Sequence, residues 1–273
     1  MREWGWRTMQ KFTRSDFDSF PVDEYGFRAC PSGDYSEIKH FPERCSFGEG
    51  CSFGEGCSFG KGCSFGEGCS FGEGCSFGEG CSFGKRCSFG KRCSFGELCI
   101  FGERCSFGEL CSFGELCSFG KRCSFGERCS FGKGCSFGEE CRFGEGCSFG
   151  EWCKFGEQCR FGGRCRFGEV CIFGERCSFS ERCKFGEECR FGEGCSHEGL
   201  TNSKYIAVDR IGSGKRKTYF FAADEGYFVR AGCWFGSFDE FAKRVKKVHA
   251  GTKHEKHYLA ALELAKMMLG DGD

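Results

Sequence analysis

Neither sign of charge is in excess in this chain. Its 39 Lys and Arg balance 39 Asp and Glu, for a formal net charge of +0 and a sequence pI ≈ 6.9. A general grip on nucleic acid through phosphate neutralisation is therefore excluded as an expectation. Long apolar runs are missing too, because a glycine and a charge interrupt most of the chain every six residues. That rules out the roughly 18 consecutive apolar residues of a membrane helix. The first ten residues carry Arg2, Glu3 and Arg7, and no apolar run of signal-peptide length follows. A soluble, cytoplasmic protein is expected, in which a reducing environment keeps most thiols free. Proline and methionine are scarce, at 3 and 4 in 273 residues. Nowhere is there a Ser/His/Asp triad pattern, a phosphate-binding loop or a dinucleotide fingerprint.

What is abundant is cysteine, phenylalanine and glycine, at 28, 36 and 46 residues. From Cys45 to Cys195 a cysteine falls at every sixth position without a slip, and Phe41 to Phe191 keep the same period. Tyr35 fills the slot before Phe41, and His197 the slot after Phe191. The consensus unit is Cys-Ser-Phe-Gly-Glu-Gly, with Lys or Arg as the usual variants. A strict short period without insertions means one unit stacked on itself. Cys and Phe stand two apart, so an extended segment turns both to one side, the interior, and the intervening Ser to the other. The glycines are expected to give the backbone freedom for a corner, with the charged residue between them in water.

Written from Phe as Phe-Gly-Glu-Gly-Cys-Ser, the unit resembles the hexapeptide repeat of left-handed parallel β-helices, with Phe where those proteins use an aliphatic residue. It also resembles, less closely, the pentapeptide-repeat solenoids. The first resemblance implies three hexads, or 18 residues, per coil, wound left-handed. The variable positions agree with that length: Arg86, Arg104 and Arg122 recur at 18, as do Leu98 and Leu116, Trp152 and Val170, and Arg164 and Arg182. The expected fold is mainly β, a three-sided parallel β-helix of nearly nine coils and about 40 Å of axis at ~4.8 Å per coil.

Residues 1–34 lie outside the repeat and are expected to cap the first coil; residues 35–197 form the solenoid. After a linker at 198–204, residues 205–273 read as a small α+β domain. Its expected strands are Tyr205 to Val208, Thr218 to Ala222 and Gly226 to Trp234, around the turn-rich Gly212-Ser213-Gly214. Ser237 with Glu240 and Thr252 with Glu255 announce two capped helices, ending near Val248 and at Gly270. The stretches Asp224-Glu225-Gly226, Ala231 to Ser237 and Phe238-Asp239-Glu240-Phe241 resemble a small uncharacterised domain of phage, prophage and gut-bacterial proteins. That resemblance implies a bacterial host and phage provenance, without a mechanism.

The cysteine ladder admits several readings. Stacked cysteines near 4.8 Å are within reach of inter-coil disulfides. Metal or cluster binding is harder, since one cysteine per rigid strand offers no loop to arrange a tetrahedron. The favoured reading is packing, small thiols beside a phenylalanine stack. No catalytic, cofactor or metal residues are assigned, and no cofactor is expected. An acyltransferase, as the hexapeptide resemblance would allow, needs a histidine between subunits, and His40 and His197 stand at opposite ends of the repeat. His249, His254 and His257 are expected to be solvated residues near a helix start.

Outward positions speak to partners. Leu98, Leu116, Trp152 and Val170 share one column of the 18-residue coil, and Ile100 and Ile172 occupy the adjacent column of the same face. Together they form a candidate apolar interface, for self-association, for the C-terminal domain or for a foreign protein. Arg86, Arg104, Arg122 and Arg176 form a second column, expected to be balanced by neighbouring Glu. Mimicry of DNA would need a strongly acidic rod, and the repeat is nearly neutral. The expected function is a non-catalytic structural scaffold or protein-binding rod; the alternative is a thiol-rich metal- or redox-binding protein.

Overall fold

The computed structural model describes residues 9–180, 183–186, 189–192, 195–197, 204–212, 216–223, 226–231 and 234–270. Arg182, Cys233, Ser213-Gly214, Asp224-Glu225 and most of the expected linker lie outside the described residues.

The hexads wind into a parallel β-solenoid of about nine coils, with three sheets of 10, 9 and 9 strands. From His40 onward each strand of the solenoid pairs with the one 18 residues on, in register: Ser88 with Ser106, Phe89 with Phe107. One face begins at Arg28–Cys30 and runs through Cys45–Phe47, Ser64–Phe65 and Ser82–Phe83; the others start at His40–Phe41 and Ser52–Phe53. Between coils the ladder is regular. Ser88 and Gly90 donate their N–H groups to the carbonyls of Cys69 and Phe71 below, and Arg86 donates to Glu103 above, all at 2.9 Å.

The interior is three columns of phenyl rings. Phe89 lies flat on Phe107 at 4.8 Å and 2°, and meets Phe95 edge-on at 5.1 Å and 87°. Both geometries are preferred by the ring quadrupole, and each pair adds about 0.5–1.5 kcal/mol to simple area burial. The cysteines fill the inner corners beside them and are fully buried.

The two glycines of a unit have different jobs, which corrects the expectation that both serve the corner. A Cβ at Gly102, the glycine after Phe, would stand 2.7 Å from the backbone N of Lys85 and 2.8 Å from the Gly84 carbonyl carbon. That position is glycine because stacked coils touch there. Gly80, last in its unit, has φ +68 and open space where a Cβ would go. Only the second position needs the left-handed conformation, and there an added side chain meets open space and costs only strain.

Both ends are closed. At the N-terminal end Phe12 stacks on Tyr35 at 5.0 Å, continuing a ring column, and Phe17 of α1 (Arg14–Ser19) meets Phe41 edge-on at 5.3 Å. The Arg28 guanidinium donates to the Phe17, Asp18 and Phe20 carbonyls, pinning the end of α1. At the other end lies an antiparallel sheet of four strands: Lys204–Ile211, Arg216–Ala223, Gly226–Ala231 and Trp234–Ser237. The expected third strand, Gly226 to Trp234, is thus two. The two strands run antiparallel, with Ala231 paired to Trp234 and Phe228 to Ser237. The sheet is two-faced by the strand period of two. Tyr219 and Phe221 join the solenoid core, whereas Phe220 and Val229 pack under α2 (Phe238–His249) and α3 (Lys253–Gly270). The Tyr219 and Tyr205 hydroxyls donate to the carbonyls of Cys189 and Phe191, and the Arg230 guanidinium lies 4.1 Å over the Phe185 ring. The expected capping box of Ser237 and Glu240 is present on α2. On α3, Thr252 accepts from the Glu255 N–H, but the Glu255 carboxylate reaches Gly251 instead of Thr252.

Candidate functional site

Because Ser and the last two residues of each unit point outward, the rod offers three flat faces and three corners. The last position of the unit, the left-handed corner, is where the sequence varies most. Fifteen non-glycine residues of the described repeat occupy it with φ between +54 and +61, among them Leu98, Leu110, Leu116, Trp152 and Val170. Glycine fills the same position without strain at Gly50, Gly56, Gly62, Gly68, Gly74 and Gly80. Each side chain there costs roughly 1 kcal/mol or more of backbone strain, and a β-branched one such as Val170 is the least tolerated.

The structure brings the six interface candidates together on one corner and the face beside it. Leu98, Leu116, Trp152 and Val170 stand at the corner; Ile100 and Ile172 point outward from the adjoining face, in the row of Ser82, Ser118 and Lys154. Ile100 is 58% exposed, Leu116 55% and Trp152 54%. The Leu116 side chain lies over the next coil's Gly134, at 2.8 Å from where a Cβ would be. Trp152 is held from below by Lys133, whose ammonium lies 4.2 Å from the ring centroid and 3.2 Å from Glu151. A seventh outward apolar residue, Leu110, lies outside the six interface candidates. It is 45% exposed and stands at a different corner, between Arg92 and Arg128, so the apolar set is not confined to one face. Reading every sixth position at the 18-residue spacing would have found it.

Two members of the arginine column are paired between coils. Arg122 forms a two-pronged pair with Glu140, at 3.0 and 2.9 Å, and Arg86 reaches back to Glu67 at 3.3 Å. These pairs are exposed and each contributes little.

All 27 described cysteines are buried free thiols. From Cys69 to Cys195 each Sγ donates to the glycine carbonyl 21 residues earlier, at 3.2–3.5 Å, as Cys105 does to Gly84 at 3.4 Å. The thiols of Cys87, Cys99, Cys105 and Cys111 are pushed up to about 12, first by contact with the thiol of the coil above, against the opposing thiol below, and then by burial. Ionisation within a column would be uneven: contacts with Cys123 and Cys159 pull Cys141 down to about 4, and contacts with Cys141 and Cys177 push Cys159 up. Burial opposes each such charge, and the direction for the column as a whole is upward.

His40 and His197 lie at the two ends of the solenoid, on different faces. His40 Nδ1 is 2.8 Å from the Ser58 hydroxyl. His249, His254 and His257 approach one another at ring-centroid distances of 6.0 and 6.3 Å, at the junction of α2 and α3. Among the described residues no three His, Cys, Asp or Glu converge on a point that would hold a metal ion. A groove of about 180 Å³ beside His249 is lined by Trp234, Phe241, Arg244 and Tyr258.

Fold and surface define a three-sided β-solenoid, capped at both ends, whose outward corners carry its individuality. Eight segments of it, 69–84, 80–96, 86–102, 98–114, 140–156, 158–174, 176–192 and 182–196, are similar to the RNA-binding, Nab2-type zinc finger. None of the curated proteins and none of the solved structures matches the chain. The residues present do not fit zinc. The matched segments contain no histidine, so a three-cysteine, one-histidine site cannot form within them. Consecutive cysteines sit at separate corners of a coil, with close-packed rings between them. Each thiol also gives its hydrogen to a carbonyl, and a thiolate there would face that oxygen instead.

Proposed function

We propose that this protein is a non-catalytic scaffold, a rod that displays side chains at fixed intervals and binds a protein partner through the corner carrying Leu98, Leu116, Trp152 and Val170, with Ile100 and Ile172 beside it. The observation that carries the reading is the strain. At positions where glycine fits freely, large apolar side chains stand exposed with φ near +60, and strained backbone persists where something else is gained. Kinship with the hexapeptide-repeat helices, a left-handed winding and a phage origin for the C-terminal module belong to the same proposal. The thiol-rich metal-binding alternative is favoured only by the zinc-finger resemblance, and the carbonyl-bound thiols argue against it.

A photo-cross-linking residue placed at Leu116 tests the reading in cells expressing the full chain. A discrete adduct is expected from position 116 and none from Gly62, in the same corner column; no adduct from 116 would overturn it.

A further inference from the structure

Resting on the reading of this corner as a contact surface, we infer that its occupant is a second copy of the chain, packed antiparallel about a two-fold axis at the coil of Gly134 and Ser136. The argument is the order of residues along the rod. The corner column runs Leu98, Leu116, Gly134, Trp152, Val170, one residue per coil. The face column beside it runs Ile100, Ser118, Ser136, Lys154, Ile172. In apolar character both columns read the same in either direction about their centre.

Two parallel-sided rods related by a two-fold axis perpendicular to both place each column against itself with direction reversed. Leu98 then meets the partner copy's Val170 position, Leu116 meets that of Trp152, and Ile100 meets that of Ile172. Gly134 and Ser136, the smallest residues of the patch, fall on the axis, where each faces its own copy and bulk is least tolerated. This is the self-complementarity an isologous interface requires: residue i on j, and j on i. A foreign partner imposes no such symmetry. The patch also spans one corner and one flat face, a surface a second flat-sided rod can cover without rearrangement.

The closed ends support a side-by-side contact over a stacked one, because Tyr35 and Phe12 plug one end and Tyr219 and Phe221 the other. From the Leu98 coil to the Val170 coil is about 19 Å at ~4.8 Å per coil. Such a patch is smaller than the roughly 800 Å² per partner of a standard interface, so association in the micromolar range is expected. The column at its rim, Glu97, Glu115, Lys133, Glu151 and Glu169, is symmetric about the same coil and sets like charges opposite one another. Added salt, which screens that repulsion, should therefore tighten the pair.

Sedimentation velocity on the purified full chain, over a concentration series, is the test. A reversible dimer is expected, with the dissociation constant raised tenfold or more by Leu116→Glu and Trp152→Glu. Leu116→Gly restores the residue this corner takes in other coils, so it cannot be dismissed as unfolded, and it should also weaken the dimer. Geometry is read with Ser136→Cys under mild oxidation. A cysteine on the axis faces its own copy and should form an intermolecular disulfide, whereas Ser82→Cys, in the same column, would be separated from its copy by six coil steps, about 29 Å, and should not. A monomer at all concentrations, a dimer indifferent to Leu116, or cross-linking through position 82 in place of 136 would each overturn the inference. A monomer whose position 116 still cross-links to another protein would overturn the second copy alone, leaving the contact surface standing.

Discussion

Ser180 lies over Gly163. From Cys45 onward it is the one described residue to replace the glycine after Phe, whose position elsewhere leaves a Cβ in contact with the coil below. By the register of its neighbours, the backbone beneath residue 180 is that of Gly162 and Gly163. Gly163 is also the only glycine in the slot that elsewhere carries Glu or Lys. The two exceptions to the repeat meet. With glycine at 163, the coil beneath Ser180 lacks the side chain that the other coils carry in that slot.

The pair should therefore be coupled. Gly163→Glu is expected to destabilise the protein in the presence of Ser180 and to be nearly neutral after Ser180→Gly. A double-mutant cycle by chemical denaturation should give an interaction energy of about 1 kcal/mol or more. Additive effects would dissolve the relationship.

The two glycines of a unit should respond in different degrees to one methyl group. Gly102→Ala sets a Cβ 2.7 Å from a backbone nitrogen and is expected to cost about 3 kcal/mol, as overpacking does. Gly80→Ala meets nothing within 4 Å and carries only the left-handed strain, about 1 kcal/mol. Denaturant midpoints measure both, and equal losses would contradict the assignment.

The solenoid and its faces were legible in the sequence because a period of six and a coil of 18 leave few alternatives: Cys and Phe two apart must share a side, and Leu98 and Leu116 must share a column. The division of labour between the glycines was not, because close approach and positive φ select the same residue; the substitution of Leu or Arg at one glycine and hardly ever at the other was the available clue. The split of Gly226 to Trp234 into two strands was hidden because both arms are apolar and aromatic, so the boundary between them breaks no pattern. The docking of the C-terminal sheet was equally hidden. The alternation of Tyr219, Phe220 and Phe221 says that two faces are buried, but not that one of them is buried by the last coil.

Stability should fall in alkali. Folding raises thiols such as Cys105 from the ordinary 9.0 to about 12, so the folded state favours the protonated form. That contribution is whole below about pH 9 and is lost as pH climbs through about 12. Melting temperature is expected to be flat around neutrality and to drop progressively above pH 9, with thiol reagents reacting fully only after denaturation. Fast stoichiometric reaction of the native protein at neutral pH would contradict the packing role.

Metal should be irrelevant to the fold. Treatment with a strong chelator is expected to leave the melting temperature and the far-ultraviolet circular dichroism unchanged, because the thiols are satisfied by carbonyls. Unfolding on chelation, as in structural zinc domains, would restore the zinc-finger reading.

Near-identical hexads stacked in register also make the rod a vernier. Removing 18 residues from its middle would shorten it by one coil, about 4.8 Å, and leave everything beyond facing as before. Removing six would shift it by a third of that and swing the whole C-terminal module about 120° around the axis, with hardly any contact inside the solenoid lost. Length and angular setting are thus separable quantities in this architecture, each adjustable by deletions that the core would scarcely notice.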